Sequence, residues 1–321
     1  MPGAGWRPTT GRDFLLRRAR LLAAVRGFFA ERRVLEVDTP VLGLHTVTDP
    51  HIDSIAVTPP PGSTPGAAYL QTSPEYAMKR LLAAGSGDIY QIAHAFRAEE
   101  HGRLHNPEFT LLEWYRLGYD HHGLMTEVAE LVRSVLGALP VRRFTYAEAF
   151  GRFADLDPFD AGPDALRRCA ARAVPGAPDL GDDRDAWLDL IMGHLIAPAL
   201  GAESLDFVYD YPASQAALAR RLPDTPDRAA RFELFVSGLE LANGFHELAD
   251  PAEQRRRFER DQARRAAAGK PVPALDRRLL AALQAGLPDC AGVALGLDRL
   301  LMLQLGAERI EQVIPFPAER S

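Results

Sequence analysis

From Phe14 to Phe29 the apolar residues Leu15, Leu21, Leu22, Val25, Phe28 and Phe29 recur at helical spacing, which predicts an amphipathic helix. After Arg33 the chain reads VLEVDTPVL, an extended segment that Pro40 must bend or end. PPPGSTP, from Pro59 to Pro65, is a loop signal. A strand is expected in DIYQIAHAFRAEE from Asp88, then a turn around Gly102 and a second strand in HNPEFTLLEWYRL. Residues 124–230 read as a mostly helical insertion between sheet segments, rich in Ala, Arg and Pro. Strand character returns over 231–248, RFELFVSGLELANGFHEL, broken at Gly238 and Gly244. A charged helix from Pro251 to Ala268 follows, and its Arg255, Arg256, Arg257, Arg264 and Arg265 are expected on a solvated face. The end, GVALGLDRLLMLQLG, predicts a short strand to Gly296 and then an apolar helix. Strands, then helices, then strands again predict an α+β fold with an antiparallel sheet, not alternating βαβ units.

Composition narrows the classes without choosing among them. The 321 residues are 47% hydrophobic and 25% charged, close to the globular average, and allow one large domain or two ordinary ones. A net charge of −6 argues against gripping nucleic acid by bulk positive charge, though it leaves a local basic face open. Of 37 Lys and Arg residues only Lys79 and Lys270 are lysine. Ala, Gly, Pro and Arg all have GC-rich codons, so the skew reads mostly as genomic composition. Cys169 and Cys290 are too far apart for a CxxC pair, and no disulfide framework is visible. No secretory h-region and no apolar run of about 18 residues is present. The expectation is a cytoplasmic protein with no membrane partner.

The sequence has no GxxxxGK[ST] loop, no GxGxxG after a strand, no GxSxG elbow and no HExxH. Three segments carry candidate chemistry. In the strand 108–115, a period of two puts Phe109, Leu111, Glu113 and Tyr115 on one face and Glu108, Thr110, Leu112 and Trp114 on the other. An aromatic, a carboxylate and a phenol in line suit a binding face; a half-exposed sheet around a core aromatic has the same pattern. Just upstream, Arg97 with Glu99 and Glu100 also fits a salt-bridged turn. The second segment holds Glu233, Glu240, Asn243 and Glu247 in apolar strand-like sequence. Such carboxylates are costly to bury unless paired, protonated or metal-bound, and hard cations such as Mg²⁺ suit them. Solvent-facing glutamates on a strand edge account for them equally well. The third is Gly296-Leu297-Asp298-Arg299, a strand-to-helix turn with a permanent cation where backbone N–H groups already favour anions. A capped helix with an exposed arginine fits it too.

In order, these segments resemble the signature motifs of class II aminoacyl-tRNA synthetases, and most of all the catalytic domain of the lysyl enzymes. FFAERRVLEVDTPVL is similar to motif 1, with Pro40 at a dimer interface. FRAEE, HGRL and HNPEFTLLEWY are similar to motif 2, and GVALGLDRLLML to motif 3. RFELFVSGLELANGFHEL is similar to the lysine and magnesium segment. The resemblance spans nearly the whole chain and implies a single class II catalytic domain over residues 1–321, its antiparallel sheet flanked by helices.

Two departures refine it. Lysyl-tRNA synthetases carry an anticodon-binding domain before motif 1, whereas here motif 1 stands close to Met1, so no such domain is expected. Ala294 stands where those enzymes usually have glycine. Both features, with YLQTSPEYAMKRLLAAG before motif 2, resemble the elongation factor P lysine ligases, which attach (R)-β-lysine to a lysine of elongation factor P instead of to tRNA. A methyl group at Ala294 could shift preference from α- to β-lysine.

The resemblance implies roles residue by residue. Arg97 would bind the α-phosphate of ATP and Glu99 the adenine amino group. Phe109 and Arg299 would stack on the two adenine faces, with Arg299 close to the γ-phosphate. Asn106, Leu241 and Gly296 would line the nucleotide site. Glu233 and Glu240 would hold Mg²⁺. Tyr115 and Glu247 would take the substrate's side-chain ammonium. Ser73, Pro74, Glu75, Glu113, Asn243 and Ala294 would shape the rest of the amino-acid pocket. Arg97 and Arg299 would be catalytic, with ATP and Mg²⁺ as cofactors. Elongation factor P would be the acceptor, (R)-β-lysine or lysine the small substrate, and the enzyme a homodimer without stable tRNA binding. A truncated synthetase acylating tRNA or another amine keeps the same chemistry, and a catalytically inactive binding paralogue keeps only the fold.

Overall fold

The computed structural model describes residues 6–59, 62 and 67–321, so most of the expected Pro59–Pro65 loop lies outside the described residues. The chain opens with helix α1 (Arg12–Glu31), short strands β1 (Leu35–Glu36), β2 (Leu42–Gly43), β3 (Ala56–Val57) and β4 (Ala68–Leu70), and helix α2 (Glu75–Ala83). Strands β5 (Ile89–Phe96) and β6 (Glu108–Leu117) lead to α3 (His121–Leu136), β7 (Val141–Thr145), α4 (Tyr146–Ala154), α5 (Pro163–Ala173) and α6 (Arg184–Ile191). Then come β8 (Leu205–Pro212), β9 (Arg228–Val236), β10 (Leu239–His246), α7 (Pro251–Ala267), α8 (Arg277–Gly286), β11 (Cys290–Gly296) and α9 (Leu297–Leu305). Two compact units result: Met1–Gly118 with Ala249–Ser321, and Tyr119–Leu248.

In the first unit β5 and β6 pair antiparallel from Ile89 opposite Tyr115 to Phe96 opposite Glu108. β11 joins the other edge of β6, and β1 runs parallel to β5. The period-two reading of β6 holds. Trp114 is buried on one face against Phe29 of α1, whose ring also stacks on Tyr90 at 4.3 Å. α1 buries Phe14, Leu21, Val25, Phe28 and Phe29, whereas Leu15 is exposed because it falls one residue off that stripe. The arginine-rich helix α7 departs from the solvated face expected of it. Arg257 and Arg265 are buried. Arg265 donates to the carbonyls of Asp49 and Ile52 and to Asp53 Oδ1 at 2.7 Å, and Lys270 donates to Asp53 Oδ2 at 2.7 Å. The Asp53 carbonyl in turn accepts from the N–H of Ala98, so this loop braces the residue after Arg97.

In the second unit β7 pairs parallel with β8, and β8, β9 and β10 pair antiparallel. β9 and β10 are joined through Ser237 and Gly238, both at positive φ, as a two-residue hairpin of this hand requires. Helices α4 to α6 cover this sheet through Tyr146, Phe150, Trp187 and Ile191, packed with Val208, Tyr211 and Phe235. The expected helical stretch therefore also contains β7, β8 and the first residues of β9. β7 is short with an exposed middle, which leaves little alternation to read, but LDFVYDYP in β8 carries a strand composition. Gly244 does not break β10; it sits in the ladder opposite Phe232. Both cysteines are buried, and among the described residues no helix is long and apolar enough to cross a membrane.

Candidate active site

On the face of the first unit's sheet opposite α1, three strands bring small and polar residues into register. Gln91 of β5, Glu113 of β6 and Ala294 of β11 lie side by side. Gly292 and Gly296 flank Ala294 on the same face, opposite Tyr115 and Leu111. Little side chain rises from β11 there, which leaves room above Glu113. The Glu113 carboxylate, 2% exposed, accepts from Ser73 Oγ at 2.6 Å and from the Tyr115 hydroxyl at 2.7 Å. Ser73 Oγ also accepts from the N–H of Glu75 at 3.0 Å, a local turn that starts α2 at Pro74. Ser73, Glu75, Glu113 and Tyr115, separated by up to 42 residues in the chain, thus form one connected set. A cavity of about 210 Å³ opens beside Ser73, Pro74 and Glu75, bounded also by His45 and Arg80.

At the other end of β6 lie the cations. Arg97 donates to Glu100 Oε1 at 2.8 Å and sits 5.0 Å from the centroid of the Phe109 ring, while its buried Nε has no hydrogen-bond partner. Arg299, in the first turn of α9, donates to Nε2 of His105 at 2.8 Å. A guanidinium only donates, so His105 is the acceptor and carries its proton on Nδ1. Burial first, and then the Arg299 charge, push the His105 pKa below its ordinary 6.5. The backbone of Gly296 passes under Arg299, where a Cβ would touch the arginine stem at 3.6 Å. Asn106 spends its amide on the main chain, donating to the Glu108 carbonyl at 2.6 Å and accepting from the Ala318 N–H at 3.0 Å. Glu99 is exposed. Two guanidiniums, one with an unpartnered N–H, form a site suited to a polyanion.

Two residues with no role in the sequence pattern also belong to the site's surroundings, His105 and Lys79. His105 lies inside HGRLHNPEF, between the Gly102 turn and Phe109, and is one of two histidines there, with no local signal that sets it apart from His101. Lys79 is 1% exposed and donates to Glu75 Oε1 at 2.8 Å.

In the second unit Glu233 stands directly opposite Asn243, and Glu240 opposite Phe235. A bulge between Glu240 and Ala242 absorbs the odd spacing, so Glu233, Glu240 and Asn243 share one face. Glu233 accepts from the Tyr211 hydroxyl at 2.7 Å and from Arg231 at 2.5 Å. Burial disfavours the Arg231 charge, but Glu233 outweighs it and holds the guanidinium above its ordinary range. Burial also raises the Tyr211 phenol well above its usual value, with the Glu233 charge adding to it. The Asn243 side-chain carbonyl is buried without a partner, an acceptor suited to a cation or an ammonium. Glu247 is 1% exposed and Leu241 is buried. Among the described residues no three His, Cys, Asp or Glu side chains gather as a metal cage. Mg²⁺ bound through nucleotide phosphates needs only one or two carboxylates, and oxygen donors are what Glu233, Glu240 and Asn243 offer, so the residues fit such an ion.

The family model for class II tRNA synthetases (D, K and N) matches residues 5–320. The chain is 50% identical to the elongation factor P–(R)-β-lysine ligase of Edwardsiella ictaluri, over 99% of each chain. It is equally 50% identical to the protein of that name in Vibrio cholerae, over the full length of both. The Photorhabdus laumondii protein of that name is 49% identical, over 98% of this chain and 97% of its own.

Proposed function

The chain belongs to the class II tRNA synthetase family and, within it, to the elongation factor P–(R)-β-lysine ligases, and from that premise we propose that it activates (R)-β-lysine with ATP and transfers it to a lysine ε-amino group of elongation factor P. The observation that carries this reading is the half-identical sequence over essentially whole chains.

A carboxylate resists nucleophilic attack because charge must be added to an anion. In the first step a substrate carboxylate oxygen attacks the α-phosphorus of ATP, the bond to the β-phosphate oxygen breaks, and pyrophosphate leaves. That displacement needs neutralisation and alignment more than proton transfer. We assign Arg97 to the α-phosphate, supported by its unpartnered Nε, and Arg299 to the adenine face and γ-phosphate. Phe109 provides the other stacking face, beside Arg97. Glu99 takes the adenine amino group, and Leu241 and Gly296 line the nucleotide. Asn106 contributes by bracing the loop, since its amide is spent on main chain. Mg²⁺, held by Glu233 and Glu240, would supply positive charge to the phosphates.

In the second step the neutral acceptor amine attacks the adenylate carbonyl, an amide bond forms, AMP leaves with the bonding pair of the carbonyl carbon–oxygen bond, and the proton shed by the amine nitrogen passes to water. We assign the substrate's side-chain ammonium to Tyr115 and Glu247, and the remaining pocket to Ser73, Pro74, Glu75, Glu113, Asn243 and Ala294. The linked Ser73–Glu113–Tyr115 set supports this, because a pre-ordered acceptor array loses little entropy on binding. We further propose a cytoplasmic homodimer that does not hold tRNA. Exposed Leu35, Val41 and Leu42 around Pro40 support the dimer surface, and both buried thiols suit a reducing compartment. Exchange of labelled pyrophosphate into ATP tests the first step. Exchange that depends on (R)-β-lysine supports it, and none with any lysine isomer contradicts it.

A further inference from the structure

Lysine is nearly absent from this chain, yet one of its two lysines lies at the core of the first unit. Lys79 is 1% exposed, and its Nζ donates at 2.8 Å to Oε1 of Glu75, one helical turn earlier. Burying an ammonium is costly, and the carboxylate at i−4 is one group that offsets it. Where 37 basic residues include only two lysines, lysine at this point answers a constraint of size. An ammonium is a compact point charge, and a guanidinium is a broad fork.

The pair is lopsided in a useful way. Glu75 is 16% exposed on its side chain and borders the cavity of about 210 Å³, whereas Lys79 sits behind it with buried Met78 and Leu82. The N–H of Glu75 is fixed by Ser73 Oγ, and Ser73 donates to Glu113. Glu75 is thereby anchored at both ends, by its backbone to Ser73 and by its carboxylate to Lys79. The ammonium thus holds one oxygen of the Glu75 carboxylate in place, and Glu75 is itself one of the residues that border the cavity.

We propose that Lys79 is a positioning residue for amino-acid recognition: it holds the Glu75 carboxylate against the β-amine of the substrate, the side-chain ammonium being the one assigned to Tyr115 and Glu247, and so sets the affinity for (R)-β-lysine. This rests on the ligase reading of the site. Lys79, with 1% of its side chain exposed, is placed to act through Glu75. Its loss separates the two substrates of the first step, because ATP is held at the Arg97 and Arg299 end of β6.

Pyrophosphate exchange by the wild type and by Lys79→Met tests this. The expected result is a KM for (R)-β-lysine at least tenfold higher in Lys79→Met, with kcat and the KM for ATP within threefold of wild type. If Lys79→Met fails to fold because Glu75 is left behind without its ammonium, Lys79→Gln, which keeps an N–H donor for Glu75 but no charge, takes its place. That variant is expected to fold and to raise the KM for (R)-β-lysine, with the KM for ATP unchanged. A folded Lys79→Met or Lys79→Gln with a wild-type KM for (R)-β-lysine overturns the inference alone. So does an equal rise in the KM for ATP, which marks a general structural role. Absence of (R)-β-lysine-dependent exchange in the wild type overturns the ligase reading, and this inference with it.

Discussion

Asp298 Oδ2 accepts a hydrogen bond from the backbone N–H of Thr110 at 2.7 Å, so the residue before Arg299 grips the residue after Phe109. Asp298 Oδ1 accepts from Arg18 of α1 at 2.6 Å, and Arg18 also donates to Thr110 Oγ1 at 2.7 Å. This buried clamp fixes the spacing between the two side chains assigned to the adenine faces, and α1 serves as its backing.

Breaking the clamp is therefore expected to act on ATP first. Asp298→Ala leaves a buried N–H and a largely buried guanidinium without their acceptor, a loss of about 2–3 kcal/mol in stability. Asp298→Asn keeps the shape and is expected to raise the KM for ATP about tenfold, with a smaller change for (R)-β-lysine. Thermal unfolding and pyrophosphate exchange check the two parts.

His105 is expected to make nucleotide binding sensitive to pH. It accepts from Arg299 only while neutral, and its pKa is lowered, chiefly by burial and then by Arg299. Because the unfolded imidazole takes up its proton near 6.5 and the folded one only at lower pH, stability is lost as pH falls from 6.5 toward the lowered value. In the same window kcat/KM for ATP is expected to fall, because protonated His105 repels Arg299. His105→Gln keeps an acceptor that does not titrate, and it should remove that inflection from the pH profile.

Glu247, which we assign to the substrate's side-chain ammonium, is a buried carboxylate, 1% exposed. Glu247→Gln is expected to lower kcat/KM for (R)-β-lysine about 100-fold, about 2.7 kcal/mol, since an amide cannot match an ammonium. Near-normal exchange would refute the role.

Ala294 lies directly across from Glu113. A methyl group in such a pocket discriminates by about 1–3 kcal/mol at most. Ala294→Gly is expected to cut the preference for (R)-β-lysine over α-lysine at least fivefold, measured as the ratio of kcat/KM values for the two amino acids.

Much of this was legible in the chain before any coordinates. Period-two spacing placed Glu113 and Tyr115 on one face of β6, and burial of Trp114 against Phe29 on the other face explains why that alternation is so clean. Helical spacing in α1 and α7 was equally readable. Charge partners far apart in sequence were not. Nothing local announces that Arg18 reaches Asp298, or that Arg265 and Lys270 hold Asp53 below its ordinary carboxylate pKa, with the Lys270 hydrogen bond the main cause. Arg265 looks from the sequence like part of a solvated face because Asp49 and Asp53, which accept from it, lie more than 200 residues away, and Arg257 because its Glu253 partner one turn earlier reads as a surface pair. The strands β7 and β8 went unread because they sit among helices whose Ala and Arg dominate the composition. Lys79 escaped notice because a lysine one turn after a glutamate is the commonest of surface pairs.

The most direct test of the account is the mass of elongation factor P after incubation with this protein, ATP and (R)-β-lysine, with bulk tRNA offered in a parallel reaction. The account predicts one added β-lysyl group on a lysine side chain of the factor, dependent on ATP, and no aminoacylated tRNA. Acylated tRNA beside an unmodified factor would contradict it.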